Sequence, residues 1–356
     1  MSALVRLQEK MRSLEADAIL VSSSLNCRYI SEFNFSDGYL LIEKDYAFLI
    51  TDSRYVEAAK NTVVGFEILS PKGKRADAIS ELVSARGLHT VLIEDESMSV
   101  AEHKRFSESL PCTLVGGASS LISELRRVKT DEELWKIASA QKITDAAFEH
   151  ILNFITPDVT EREVALELEF FMRREGADGL AFDTIAVSGS ASSLPHGKPS
   201  DVKLRKGFLT MDFGAKLGGY CSDMTRTVCI GRADDEMKKV YNTVLSAQKY
   251  ALENICEGML CRDVDELARN IIRNAGYGDY FGHSLGHGVG LYIHESPSLS
   301  PLAADSSKVC KGNVITVEPG IYIEGRFGVR IEDMIAIAND GNIINFTKSP
   351  KELIEL

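Results

Sequence analysis

Two kinds of apolar spacing alternate along the chain. From residue 4 to 15, charged and apolar residues interleave at the period of an amphipathic helix, and "DAILV" then runs apolar like a buried strand. "GYLLI" and "YAFLITD" predict a pair of strands, and "ADAISELVSARG" predicts a helix leading into the strand "TVLIE". Residues 1–125 therefore read as an α/β layer domain. In "VGGASSLISELRRVKTDEEL" glycine, serine and a charged run mark a boundary, so a second domain is expected over 126–356. Thr130 with Glu133 predicts a capping box at the long helix that opens it.

The second domain repeats its own pattern. Thr160 and Glu163 cap "EREVALELEFFMRREG", which stops at Gly176, and "RDVDELARNIIRNAG" stops at Gly276, with Val164 and Val264 equally far from their glycines. "SLPHG" around His196 resembles "SLGHG" around His287. "KGFLTMDFG", with Asp212, resembles "KGNVITVEPG", with Glu318, and Asp223 finds its counterpart in Glu332. The separations drift by only a few residues, as loop insertions between two copies of one unit produce. Units of this kind bury their apolar faces against each other, so whatever both copies contribute meets at their seam.

Composition narrows the partners. The formal charge of −12 leaves no basic face for nucleic acid or an anionic membrane. No stretch is apolar for long enough to span a bilayer, and the amino terminus lacks the pattern of a signal peptide. Seven cysteines without a C-x-x-C pair fit reduced thiols, with Cys221 and Cys229 as small buried apolar residues, and a cytoplasmic location.

Part of the negative charge is patterned. In "LTMDFGAKLGGYCSDMTRTV" a hairpin turning between Leu217 and Gly218 places Asp212 directly opposite Asp223. In "VITVEPGIYIEGRFGVRIEDMIAI" a turn centred on Gly325 opposes Glu318 and Glu332, with a bulge expected at Pro319 and Gly320. Like charges opposed in a half-buried sheet require a compensating proton or cation. Four carboxylates at matching places of a repeat balance two divalent ions. His287, between Gly286 and Gly288, supplies a nitrogen ligand from a segment whose glycines allow close backbone approach and argue against a helix. Four oxygen donors and one nitrogen suit Mn²⁺ or Co²⁺, with Zn²⁺ and Fe²⁺ as further candidates.

Taken together, "PHGKPSD", "MDFGAKLGGYCSDMTRT", "GHSLGHGVGLYIHE", "VEPGIYI" and "GVRIED" resemble the pita-bread metallopeptidases, in the Xaa-Pro aminopeptidase and Xaa-Pro dipeptidase (prolidase) branch. Residues 1–125 resemble the creatinase-type amino-terminal domain. The resemblance implies an α/β amino-terminal domain followed by an α+β pita-bread catalytic domain with an internal pseudo-two-fold repeat. It implies Asp212, Asp223, His287, Glu318 and Glu332 as ligands of two ions, Asp223 and Glu332 bridging. His196, His283 and His294 are implied as substrate and transition-state contacts, Tyr322 and Arg330 as supports of the site, and Phe182 and Ile293 as lining for a proline ring. One departure is Gly207-Phe208, where the family often has Gly-Asp before the first metal strand; no ligand is affected.

The mechanism this suggests is attack on the scissile carbonyl by a metal-activated water, with Glu318 as general base and then acid, and His196 aiding the oxyanion from across the seam. The expected activity is that of an Xaa-Pro aminopeptidase, with a dipeptidase as the alternative, acting on peptides with proline in second position, and the resemblance implies a homodimer. A creatinase-like amidinohydrolase does not use the five ligands, and a non-catalytic member of the fold typically loses some of them. Methionine aminopeptidases generally lack the amino-terminal domain. Asp52, Arg54 and Tyr55 of "TDSRY" are expected to be structural.

Overall fold

The amphipathic amino terminus folds as α1 (Ala3–Met11), capped by Ser2, whose hydroxyl accepts the Val5 N–H. It ends before the predicted Glu15 because Ser13 turns its hydroxyl onto the Lys10 carbonyl at 2.8 Å, a local bond that competes with the next helical turn. The computed structural model describes residues 1–356, which form two compact units, Met1–Arg126 and Arg127–Leu356.

In the first unit, β1 (Ala18–Val21), β2 (Gly38–Glu43), β3 (Ala47–Thr51), β4 (Glu67–Leu69), β5 (Thr90–Ile93) and β6 (Thr113–Val115) form one mixed sheet in the order β4-β3-β2-β1-β5-β6. The paired "GYLLI" and "YAFLI" runs are its antiparallel β2–β3 hairpin, with Leu40 opposite Leu49. Helices α2 (Ser24–Ser31), α3 (Ser53–Thr62), α4 (Arg75–Arg86), α5 (Val100–Ser109) and α6 (Ala118–Arg127) connect or follow the strands. Asp52 caps α3 by accepting the Arg54 N–H, a structural role.

The second unit opens with α7 (Asp131–Phe154) and α8 (Glu161–Arg174), each with the predicted capping box. β7 (Gly179–Leu180), β8 (Ile185–Ser188), β9 (Gly207–Phe213), β10 (Ala215–Leu217), β11 (Tyr220–Cys221) and β12 (Met224–Ile230) follow. A second helix pair, α9 (Asp235–Asn254) and α10 (Cys261–Asn274), precedes β13 (Gly286–Gly288), β14 (Glu295–Leu299), β15 (Val314–Val317), β16 (Gly320–Ile323), β17 (Phe327–Arg330), β18 (Asp333–Ile337) and β19 (Ile343–Asn345). The repeat shows in matching detail. Gly176 and Gly276 end α8 and α10 at positive φ, 101° and 87°, and donate to the Arg173 and Arg273 carbonyls. Ala177 and Tyr277 then donate to the Met172 and Ile272 carbonyls.

Each helix pair covers one antiparallel sheet. β9 sits between β8 and β12, and its Leu209, Met211 and Phe213 share a core with Phe148, Val164 and Leu168 of α7 and α8. The other sheet runs β14-β13-β15-β18-β19, and Ile315, Val317 and Ile335 pack with Val244, Val264 and Ile272 of α9 and α10. Strand alternation therefore turns Asp212 and Thr225 away from the first helix pair, and Thr316 away from the second. No helix is long and apolar enough to cross a membrane.

The two hairpins depart differently from expectation. In the first, Asp212 pairs with Thr225, not Asp223, because the turn is the two-residue loop Gly218-Gly219 with both φ values positive, 59° and 88°. The slip moves the partner by two positions, so Asp223 stays on the same face as Asp212, one step along the diagonal. In the second, β15–β18 and β16–β17 share one register, Val317 opposite Asp333 and Gly320 opposite Arg330, so Glu318 and Glu332 occupy opposing positions. The expected bulge at Pro319 and Gly320 is instead a gap in the ladder with the register unshifted on either side.

Candidate metal centre

His287, Asp223 and Glu332 bring ligand atoms within 4.8 Å of one another. His287 Nε2 lies 3.5 Å from Asp223 Oδ2 and 3.4 Å from Glu318 Oε1. Its Nδ1 faces the Gly288 carbonyl at 3.1 Å, and a carbonyl only accepts, so Nδ1 carries the proton and Nε2 points a lone pair at two carboxylates. Burial lowers the His287 pKa to about 4, so the ring supplies no compensating charge.

The carboxylates show the same deficit. Burial, reinforced by neighbouring acids, holds Asp223 and Glu332 well above the ordinary carboxylate range, and burial pushes Glu318 up to about 8. Asp212 Oδ1 and Glu332 Oε1 are buried without any hydrogen-bond partner. Two buried oxygens without donors, together with an unprotonated imidazole nitrogen that faces two further carboxylates, form a donor set that suits divalent cations.

Other oxygens of these groups are fixed. Asp212 Oδ2 accepts Arg330 Nη2 at 2.7 Å, and Thr225 donates its hydroxyl to Glu332 Oε2 at 2.7 Å while accepting Arg330 Nε at 2.9 Å. Thr316 accepts the His287 N–H at 3.1 Å and donates to Glu318 Oε1 at 3.2 Å. Thr225 and Thr316 were not anticipated from sequence, although each stands two residues along the chain from an acid just beyond its strand, the spacing that shares a face in extended backbone.

Arg330 continues into a relay. Its Nη1 donates to the Tyr322 hydroxyl at 2.8 Å, and Tyr322 lies 3.0 Å from His283 Nε2. His283 Nδ1 donates to the Ser284 carbonyl at 2.8 Å, so Nε2 accepts and Tyr322 is the donor. Burial, with Arg330 nearby, lowers the His283 pKa to about 4 and keeps the ring neutral. His294 stacks edge-on against His287, ring centroids 4.4 Å apart, and His196 is exposed but near enough to both His283 and His294 to disfavour their charged forms. Ile293 is buried beside His294. Phe182 is placed less directly: its ring edge closes on Gly214, two residues after Asp212, 3.0 Å from where a Cβ would stand.

The strand carrying His287 has no room for side chains on either flank. A Cβ at Gly286 would meet the Thr316 carbonyl oxygen at 2.1 Å, and one at Gly288 the Ser296 carbonyl oxygen at 2.3 Å. These glycines thus serve the approach of β13 to its neighbours, rather than an approach of backbone to ions. A buried ion pair, Lys129 Nζ to Glu295 Oε1 at 2.8 Å, anchors the start of β14 next to His294.

Among known proteins, the model of metallopeptidase family M24 matches residues 136–339, and that of the creatinase/prolidase N-terminal domain matches residues 4–128. The chain is 38% identical to the Xaa-Pro dipeptidase of Pyrococcus furiosus over 353 residues, 99% of each chain. Among solved structures it resembles an Xaa-Pro dipeptidase from Bacillus anthracis, at 43% identity and a TM-score of 0.96 over 99% of each chain. It also resembles an X-Pro aminopeptidase from Thermotoga maritima MSB8, at 38% identity and a TM-score of 0.90 over 98% of this chain and 100% of that one.

Proposed function

The chain belongs to metallopeptidase family M24 and carries the creatinase/prolidase N-terminal domain, and from that premise we propose that it hydrolyses the bond between an amino-terminal residue and a following proline, with catalysis in residues 126–356. The observation that carries the reading is the cluster of Asp223, His287 and Glu332, with Asp212 and Glu318 beside it, in which buried oxygens lack donors and an imidazole lone pair faces acids. Two divalent ions, Mn²⁺ or Co²⁺ by donor type, would supply there an acidified water and polarisation of the scissile carbonyl.

The residues do the rest. Asp212, Asp223, His287, Glu318 and Glu332 hold the ions, and Glu318 relays the proton from the attacking water to the departing proline nitrogen. Counting Arg330, two divalent ions leave this group of residues one positive charge in excess, matched to the negative charge that develops on the carbonyl oxygen. His283, neutral and oriented by Tyr322, and His196 contact the reacting carbonyl region. His294, with Ile293 and Phe182, lines the place for the proline ring.

Xaa-Pro dipeptides are proposed as the substrate, on the weight of the Pyrococcus and Bacillus relatives. The aminopeptidase reading is the second, favoured by the Thermotoga relative. Assaying Xaa-Pro beside Xaa-Pro-Xaa with Mn²⁺ or Co²⁺ tests both: turnover of the dipeptide alone selects the first, efficient release of the amino-terminal residue from the tripeptide selects the second, and turnover of neither rejects the proposal. A homodimer in the cytoplasm completes the reading, and a purely monomeric species in light scattering would remove the dimer.

A further inference from the structure

Arg226 is among the largest side chains with almost no exposed surface, and it stands on β12 opposite Met211, on the face turned away from the candidate metal centre. A guanidinium carries five N–H groups, each of which needs an acceptor in a dry interior. Arg226 has all five: Nε donates to the Pro350 carbonyl at 3.0 Å, Nη1 to the Thr225 and Glu332 carbonyls at 3.0 and 2.5 Å, and Nη2 to Asp333 Oδ1 and the Ser349 carbonyl, both at 2.8 Å. Asp333 is saturated in turn, its Oδ2 accepting Asn345 at 2.6 Å and Lys351 at 2.7 Å.

Two of those bonds end on the backbone of the centre itself. The Thr225 carbonyl also accepts the Glu332 N–H at 3.1 Å, while on the other face the Thr225 hydroxyl holds Glu332 Oε2. Arg226 therefore grips from behind the same two residues whose front contacts aim Glu332. It also joins the two copies of the repeat, because Thr225 belongs to the first and Glu332 and Asp333 to the second. A buried ion pair is a weak source of stability beside apolar residues of equal volume, so a conformational role accounts for it better.

We propose that Arg226, braced by Asp333, is a positioning residue that fixes the crossing of Thr225 and Glu332 and thereby sets cation affinity without touching a cation. The proposal rests on the assignment of Glu332 as a ligand. Arg226→Lys keeps the charge facing Asp333 but loses the planar fork that spans both carbonyls. Calorimetric titration of chelator-treated protein with Mn²⁺ is expected to show binding weakened roughly 10–100-fold, with a changed Co²⁺ absorption spectrum. Lys351→Met removes a charge from the same Asp333 without touching either carbonyl; it is expected to lower the metal-free melting temperature and leave Mn²⁺ affinity unchanged. Unweakened Mn²⁺ binding by folded Arg226→Lys, or equal weakening by Lys351→Met, overturns the proposal. If Arg226→Lys does not fold, Asp333→Asn carries the same comparison, with about tenfold weakening expected. Asp223→Asn tells the two levels apart: loss of Mn²⁺ binding there with normal binding in Arg226→Lys sinks only this inference, whereas normal binding in Asp223→Asn sinks the metal-centre reading.

Discussion

The two copies of the repeat reach one place by different local means. In the first, Asp212 stands on the β9–β12 ladder and Asp223 in the break between that ladder and β10–β11, the two staggered by two residues, and Asp212 is paired with a cation. In the second, two glutamates stand opposite each other where the ladder is interrupted, and Glu332 is pinned by a hydroxyl. Yet each pinning group comes from the other copy, since Arg330 holds Asp212 and Thr225 holds Glu332. The difference teaches that the duplication preserved the position of the acids rather than the hydrogen bonding around them, and that the seam is the element under constraint.

Removing an acid attacks the common place directly. Asp223→Ala is expected to abolish metal binding and to cut turnover by on the order of 10³-fold or more, measured by metal analysis and Xaa-Pro hydrolysis together. Activity retained by a metal-free variant would end the comparison.

Arg330→Met strikes the asymmetry between the copies. It leaves Asp212 unpaired and Tyr322 without its donor, so turnover should drop about 10–100-fold. Mn²⁺ affinity should fall less, because removing a neighbouring positive charge offsets the lost orientation. Parallel losses in both quantities would mean that Arg330 serves the ions and not the relay to His283.

A pH series on chelated protein sharpens the electrostatic side. Below about pH 4.5 the Glu318 carboxyl is protonated whether the chain is folded or not; between there and about 8 only the folded state keeps the proton. The metal-free protein should therefore lose stability as pH rises through this window, by at least about 5 °C in melting temperature, and saturating Mn²⁺ should remove the loss. A flat metal-free profile would contradict the buried, uncompensated cluster.

The smallest effect tests the symmetry where it is closest. Gly176→Ala and Gly276→Ala each force a Cβ onto a positive φ with nothing within 4 Å, so backbone strain alone acts. Each should cost about 1 kcal/mol in denaturant melts, equal within about 0.5 kcal/mol.

Much of this was legible because spacing encodes it. The capping boxes at Thr130 and Thr160, the helix ends at Gly176 and Gly276 and the facing of Glu318 and Glu332 follow from local rules. The first hairpin was misregistered because "AKLGG" admits neighbouring turns, although the adjacent glycines suit two positive φ values and mark the loop that forms. The strand order of the first unit was beyond reach, since β1 joins both β2 and the distant β5 and alternation alone does not choose neighbours. Arg226 escaped for a similar reason. A charged residue between two threonines on a strand reads as solvent-facing, and three of the four carbonyls that receive it lie more than a hundred residues away.

That reach bears on how the protein is made. When β12 leaves the ribosome, the guanidinium at its middle has none of its later-synthesised partners, and Asp212 still lacks Arg330. Only when residues 349 and 350 have emerged can every donor be satisfied. Until that point a nascent chain should be unable to capture cations with native affinity, so the proposed centre would be completed only once this late segment has joined it.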